Sequence, residues 1–314
     1  MIDAQILSEK LGKEVTPQKD ISPYITMRTR VMAEYFVEVD TREELIKAVQ
    51  LAHELKIPFF LFGGGSNLAI LKNVIPGLVI RNLYSKKEIV YSDSDHTDIL
   101  FSSGYPMSRV VTETVKDGLE GFEYHLGLPG SIGGAIYMNS KWTKPVSYVG
   151  DHLISAVLMD HEGNTKTVDR PYFHFAYDYS ILQETKEILI EGVFRLKHED
   201  PEILRVRSQE SLAYRKATQP FGVATSGCFF QNISPEEKER LGLTTASAGY
   251  LIDHAGLKGR QIGAYIVSDK HANFVINQGN GTPEDLQKLL SLIKLTVKEK
   301  YGVDLKEEVL LVKS

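Results

Sequence analysis

The chain has 314 residues, 42% apolar and 25% charged, which is enough for two or three domains with sizeable cores. Its net charge of -5 and pI near 6.0 give no global basic field of the kind that holds nucleic acid or an anionic membrane surface. A single cysteine forms neither an intramolecular disulfide nor a thiolate zinc cluster, and the nine histidines show no close ligand spacing, so metal-centred chemistry is not expected.

The N-terminal MIDAQILSEKLGKEV lacks a basic start followed by an apolar stretch, and no window approaches the ~20 apolar residues of a bilayer span. A cytoplasmic protein is expected. Thr41 and Glu44 stand at capping-box spacing before Leu45, Val49, Ala52 and Leu55, a helical stripe that ends in a short apolar run, so the spacing predicts helix and then buried strand. GGGSN follows at 63–67, and GLVI at 77–80 resumes the strand pattern. SRVVTETVKDG reads as a helix closed by Gly118. GLPGSIGGAIYMN, 127–139, sets glycines ahead of an apolar, strand-like run.

Residues 151–200 alternate or run apolar between turn residues, as antiparallel sheet does. PEILRVRSQESLAYRKA is helical in pattern. Ser234 with Pro235, and Thr282 with Pro283, open two further helices, the second carrying Leu286, Leu289, Leu290, Ile293 and Val297 on one stripe before Gly302. Helices and strands mix without steady alternation, which predicts an α+β fold. Changes of pattern put the seams near residues 84 and 200.

The loop LFGGGSNLAI follows a buried strand directly, where backbone without side chains can approach a ligand and its N–H groups can converge on phosphate. It matches neither GxGxxG nor the P-loop, so a Rossmann unit and a P-loop are both poorly supported. The second cluster is compatible with a bend or with a ligand loop. Two such loops about sixty residues apart suggest one long ligand gripped at an anionic centre, and FAD has that length and that centre. ATSGCFFQN, 224–232, holds the lone Cys228 beside Gly227, either as a small core hydrophobe or as a reagent.

EYFVEVDTREEL, GGGSNL, GLPGSIGGAIYMN, SGCFFQN, AGYLIDHAGLKG, SDKHANFVIN and YGVDLKEEV, in this order from about Ile25 to Val309, resemble the UDP-N-acetylenolpyruvoylglucosamine reductase family, in its second type. The resemblance implies a two-part FAD-binding fold of the vanillyl-alcohol-oxidase type and a C-terminal α+β substrate-binding domain. It gives residues 1–84 and 85–200 as the FAD-binding parts, the second completed by 301–314, and 201–300 as the substrate domain. It also implies FAD and NADPH as cofactors and UDP-N-acetylglucosamine enolpyruvate as substrate, with hydride going from flavin N5 to C3 and a proton to C2.

Residue by residue, the resemblance puts Gly63, Gly64, Gly65, Ser66, Asn67, Gly130, Ser131, Gly133 and Gly134 at the cofactor. Tyr177, Arg215, Asn232 and His271 fall at the substrate, and Cys228 and Glu308 at the chemistry. Cys228 stands where the family carries a serine proton donor. A thiol of reference pKa ~8.5 is mostly protonated at neutral pH and is a far stronger acid than an aliphatic hydroxyl. The match frays at Asp178, where an arginine is implied, at Thr218 and Gln231, where lysines are usual, and at Ile233, which replaces a proline. Arg215, Lys216 and Lys141 are the cations available to compensate, and the alternative is a diverged flavin-binding relative with another substrate or no turnover.

Overall fold

The computed structural model describes residues 3–313. The described chain divides into two compact units, one made of the N-terminal residues to Lys19 with Ala33–Gly64 and Pro76–Arg215, the other of Asp20–Met32, Gly65–Ile75 and the chain from Lys216 onward. Among the described residues no helix is long and apolar enough to cross a membrane.

In the first unit a four-stranded sheet runs in the order Thr16–Asp20, Met32–Val39, Val74–Asn82, Phe59–Phe62. The helix Arg42–Glu54 starts as the sequence predicts, with Thr41 Oγ1 accepting from Glu44 N at 3.1 Å. Glu44 does not close the box on Thr41; its carboxylate accepts instead from Asp40 N at 2.7 Å. The helix buries Leu45, Ala48, Val49, Leu51 and Ala52 in a core with Leu7, Val37, Leu78 and Ile80. Phe59–Phe62 then pairs in parallel with Leu78–Arg81, and Gly77 makes that approach possible, since a Cβ there would lie 1.9 Å from Pro58 O.

The second sheet of this unit is antiparallel and six-stranded. Its path is Thr165–Asp169, Leu153–Met159, Ile188–His198, His96–Ser102, Lys87–Ser92, with Leu119–Glu120 paired to Ile188–His198, in line with the alternation read over 151–200. The helix Met107–Lys116 lays Val110, Val111 and Val115 into a core with Ile99, Phe101, Phe122 and Phe194. One expectation is corrected. The run after the second glycine cluster is the helix Ile132–Met138 and not a strand, because Ile132, Ala135 and Ile136 recur at helical spacing and are the buried residues.

The second unit has an antiparallel sheet of Gln261–Ile262, Tyr265–Val267 and Val275–Asn277, and a parallel pair of Leu68–Ile70 with Leu310–Val312. Its long helix, Pro283–Tyr301, begins at Thr282, whose side chain accepts from Asp285 N, buries the predicted leucine stripe, and stops at Gly302 with φ 66°. Pro235–Arg240 opens with a complete capping box between Ser234 and Glu237.

Candidate active site

In the first unit the two glycine loops meet. A Cβ on Gly63 would lie 2.3 Å from Ser131 Oγ, and one on Gly64 would lie 2.7 Å from Gly130 Cα. Only glycine allows this backbone approach. The Gly130 loop is in turn pinned to 103–107: Met107 N donates to Gly130 O at 3.0 Å, Ile132 N to Tyr105 O at 3.0 Å and Gly133 N to Ser103 O at 2.8 Å. Gly133 therefore serves the chain's own packing, with Ser103 Cβ 3.0 Å from where its Cβ would sit.

Gly134 is different. It is exposed, within a helix, and a Cβ there would meet nothing within 4 Å. A helical glycine that the protein's packing does not require costs about 1 kcal/mol against alanine, and a ligand lying against that face accounts for it. The donor chemistry agrees, since the loop opens a side-chain-free backbone face of the kind that takes a phosphate-bearing group. The residues fit FAD.

Arg215 ends up beside the same loop. Its guanidinium lies 4.9 Å from the Trp142 ring centroid, and its Cδ would be 3.3 Å from a Cβ on Gly127. His125 lies close by, fully buried, with Nε2 3.3 Å from Ser147 Oγ. Burial drives its pKa down to about 3, and the charge of Arg215 adds to the effect. Tyr177 lies on an exposed turn, with Lys141 Nζ 5.0 Å from its ring centroid.

The second unit brings Cys228 and Glu308 onto neighbouring chain segments. Cys228, partly exposed, bridges antiparallel to Phe274, and Phe230 bridges to Glu307. Glu308 N donates to Phe229 O at 2.9 Å. Of the two glutamates in LKEEV, Glu307 forms an ion pair with Lys294 at 2.8 Å, and Glu308 follows it at a bend. Gly227 holds φ 83° and re-aims the chain just before the thiol.

Asn67 joins this group: its Nδ2 donates to Glu308 O at 3.2 Å, and Leu310 N donates to Asn67 O at 2.9 Å. Gly65, with φ 61°, lies against Tyr24, whose carbonyl would be 2.5 Å from a Cβ there. Ser66 is half-buried on the same turn. Buried Asn273 donates from Nδ2 to Phe230 O at 2.7 Å and accepts at Oδ1 from Phe230 N at 3.0 Å. It thereby braces the segment that carries Cys228.

His271 packs beside that brace, its ring 5.0 Å from Phe274, its Nδ1 accepting from Asn273 N at 3.3 Å; burial lowers its pKa. Asn232 is exposed and its Oδ1 accepts from Ala248 N at 3.3 Å, at the start of the helix Ala248–His254. The structure thus groups Cys228, Glu308 and Asn67 in one unit and Gly63, Gly64, Gly130, Ser131 and Arg215 in the other.

Comparison with known proteins agrees with both halves. Residues 33–169 match the FAD binding domain family, and residues 219–312 match the UDP-N-acetylenolpyruvoylglucosamine reductase C-terminal domain. A solved 6-hydroxy-D-nicotine oxidase from Arthrobacter nicotinovorans shares the fold, with TM-score 0.55 and 13% identity over 93% of this chain and 86% of that one. The family match and the shared fold together define an FAD-binding protein with the two-part fold of the vanillyl-alcohol-oxidase type.

The curated UDP-N-acetylenolpyruvoylglucosamine reductase of Bacillus velezensis is 31% identical over 307 residues, covering 97% of this chain and 96% of its own. That of Protochlamydia amoebophila is 35% identical over 277 residues, 88% and 87% of the two chains. The crystal structure of the Thermus caldophilus reductase superposes with TM-score 0.76 at 27% identity over 96% of this chain and 98% of that one. The chain belongs to the UDP-N-acetylenolpyruvoylglucosamine reductase family.

Proposed function

We propose that the protein reduces the enolpyruvyl ether of UDP-N-acetylglucosamine to UDP-N-acetylmuramate. When bound, FAD takes electrons from NADPH and supplies hydride to C3 of the ether. Gly63, Gly64, Gly130, Ser131 and Gly134, with Gly65, Ser66 and Asn67, hold that cofactor. The Cys228 thiol gives its proton to C2, completing the saturated lactyl ether, and Glu308 supports that proton delivery. Tyr177, Arg215, Asn232 and His271 bind substrate, Arg215 because a guanidinium can grip two phosphate oxygens together. A reactive, partly exposed thiol suits a reducing cytoplasm.

The single observation that supports this assignment best is the backbone pairing of the two catalytic segments, with Glu308 N on Phe229 O at 2.9 Å. It pairs the backbone of the segments that carry Cys228 and Glu308, 80 residues apart in sequence (308 - 228). The test is to purify the protein, record its flavin absorbance and follow NADPH consumption with and without the enolpyruvyl sugar nucleotide. Cys228→Ser should keep activity, and Cys228→Ala should still allow NADPH to bleach the flavin while forming no product. Equal product formation by the alanine variant removes Cys228 from the mechanism, and absence of substrate-dependent NADPH consumption in the wild type removes the reaction.

A further inference from the structure

We propose that Lys141 is the residue of the first unit that receives an anionic oxygen of the substrate, phosphate or carboxylate, and that Asp178 positions it. The inference rests on the substrate class proposed above. Lys141 opens the hairpin of Lys141–Thr143 and Val146–Tyr148, directly opposite Tyr148. Its Nζ lies 5.5 Å from the Tyr148 ring centroid and 5.0 Å from that of Tyr177. Among the described residues no carboxylate lies within 4.0 Å of it. A half-buried ammonium held by ring faces keeps its N–H donors for an acceptor that the chain does not provide. Lys144, in the same hairpin, likewise lies over a ring, 4.8 Å from the Tyr214 centroid, whereas Lys166 pairs with Glu187 at 2.6 Å and Lys87 with Asp117 at 3.0 Å.

Asp178 explains why the cation stays there. Its carboxyl group is buried, 7% exposed, and its Oδ2 meets no donor among the described residues. Burial raises its pKa, a hydrogen bond with Tyr177 opposes that, and Lys141 is the positive charge that acts on it. Among the described residues no ion pair within 4.0 Å joins the two, so the attraction acts at longer range.

The turn carrying Asp178 is seated by hydrogen bonds. Asn139 Nδ2 donates to Ala176 O at 3.0 Å, Ser180 Oγ to Tyr137 O at 2.8 Å, and Gln183 Nε2 to Tyr137 O at 3.0 Å. These bonds fasten the turn to the C-terminal end of Ile132–Met138, the helix that begins at the second glycine loop. Seven residues of helix span about 10 Å, so the cation stands one short helix away from the loop assigned to the cofactor. Trp142, next along the strand, points to the opposite face and carries Arg215. Lys141 is thus a separate contact and not a second arm of the Arg215 site.

The experiment is calorimetric titration of the FAD-loaded protein with UDP-N-acetylglucosamine enolpyruvate and, separately, with UDP-N-acetylglucosamine. Lys141→Met should weaken binding of the first about 10- to 100-fold, the range expected for losing one charge-assisted hydrogen bond, while Lys141→Arg stays within a few-fold of wild type. Asp178→Asn should weaken the same ligand in the same direction. The double variant Lys141→Met/Asp178→Asn removes the buried charge along with its partner, so it keeps FAD and the wild-type melting temperature yet shows the same loss. Weakening of both ligands assigns the diphosphate, and weakening of the enolpyruvyl ligand alone assigns the carboxylate; either supports the inference. Wild-type affinity in Lys141→Met, or equal losses in Lys141→Met and Lys141→Arg, overturns it. A wild-type protein that binds the ligand but consumes no NADPH sinks the proposed reaction and leaves this inference standing, whereas one that binds neither sugar nucleotide sinks both.

Discussion

The side-chain amide of Asn67 donates to the main-chain carbonyl of Glu308 at 3.2 Å across a separation of 241 residues. A turn read from sequence as part of the cofactor grip therefore also holds the backbone of the candidate catalytic carboxylate. Asn67→Ala removes one half-buried hydrogen bond, which contributes about 1 kcal/mol, and should lower the melting temperature by about 2 °C. Turnover should fall about tenfold at saturating FAD, because the tail loses its register beside Phe229. Full turnover at saturating FAD would limit Asn67 to the cofactor.

Gly64 and Gly134 look alike in sequence and have opposite steric surroundings. A Cβ on Gly64 would lie 2.7 Å from Gly130 Cα, whereas one on Gly134 meets nothing within 4 Å. Gly64→Ala should destabilise the apoprotein by about 1–3 kcal/mol through overpacking. Gly134→Ala should stabilise the apoprotein by about 0.5–1 kcal/mol and yet weaken FAD, since the new methyl occupies the face left for it. Chemical denaturation of apoprotein, paired with FAD titration, reads both signs.

Asn273 satisfies both main-chain groups of buried Phe230, with contacts of 2.7 and 3.0 Å. Asn273→Ala leaves a buried donor and acceptor exposed to neither water nor partner, at a cost of about 1–3 kcal/mol for each group. Loss of at least about 2 kcal/mol in denaturant midpoint analysis is expected. Activity of the remaining folded protein should also fall, since the strand before it carries Cys228.

The pH dependence of stability should show His125. Buried and neutral, it has a folded pKa near 3 against an ordinary value of 6.5. The unfolded chain therefore binds a proton that the folded chain refuses, and stability falls as pH drops from about 6.5 toward about 3. By pH 5 the loss from this group is about 2 kcal/mol. His125→Gln should flatten that limb of a stability-against-pH curve measured between pH 7 and 5, and an unchanged slope would assign the acid sensitivity elsewhere.

Much of the architecture is written locally. Thr41, Ser234 and Thr282 announce their helices because capping is decided within four residues, and the leucine stripe before Gly302 needs only a period. The two glycine loops are legible for the same reason, since consecutive glycines cost backbone entropy that a simple turn does not need to spend. Two local inferences failed for lack of context. AIYMN reads as strand until Ile132, Ala135 and Ile136 find a core on one helical face, and Glu44 chooses Asp40 N over the cap residue once Lys13 lies 2.7 Å from its carboxylate.

Chain order alone determined that this protein has caps, stripes, two glycine loops and a solitary thiol, because each of these depends on neighbours a few positions away. Tertiary structure alone decided that Gly64 lies on Gly130, that Glu307 pairs with Lys294, that Asn273 braces the segment carrying Cys228, and that Lys141 rests on two tyrosine rings. Those are contacts between residues that mostly lie tens to hundreds of positions apart, and only a closed, packed chain fixes which distant groups share a hydrogen bond or a charge.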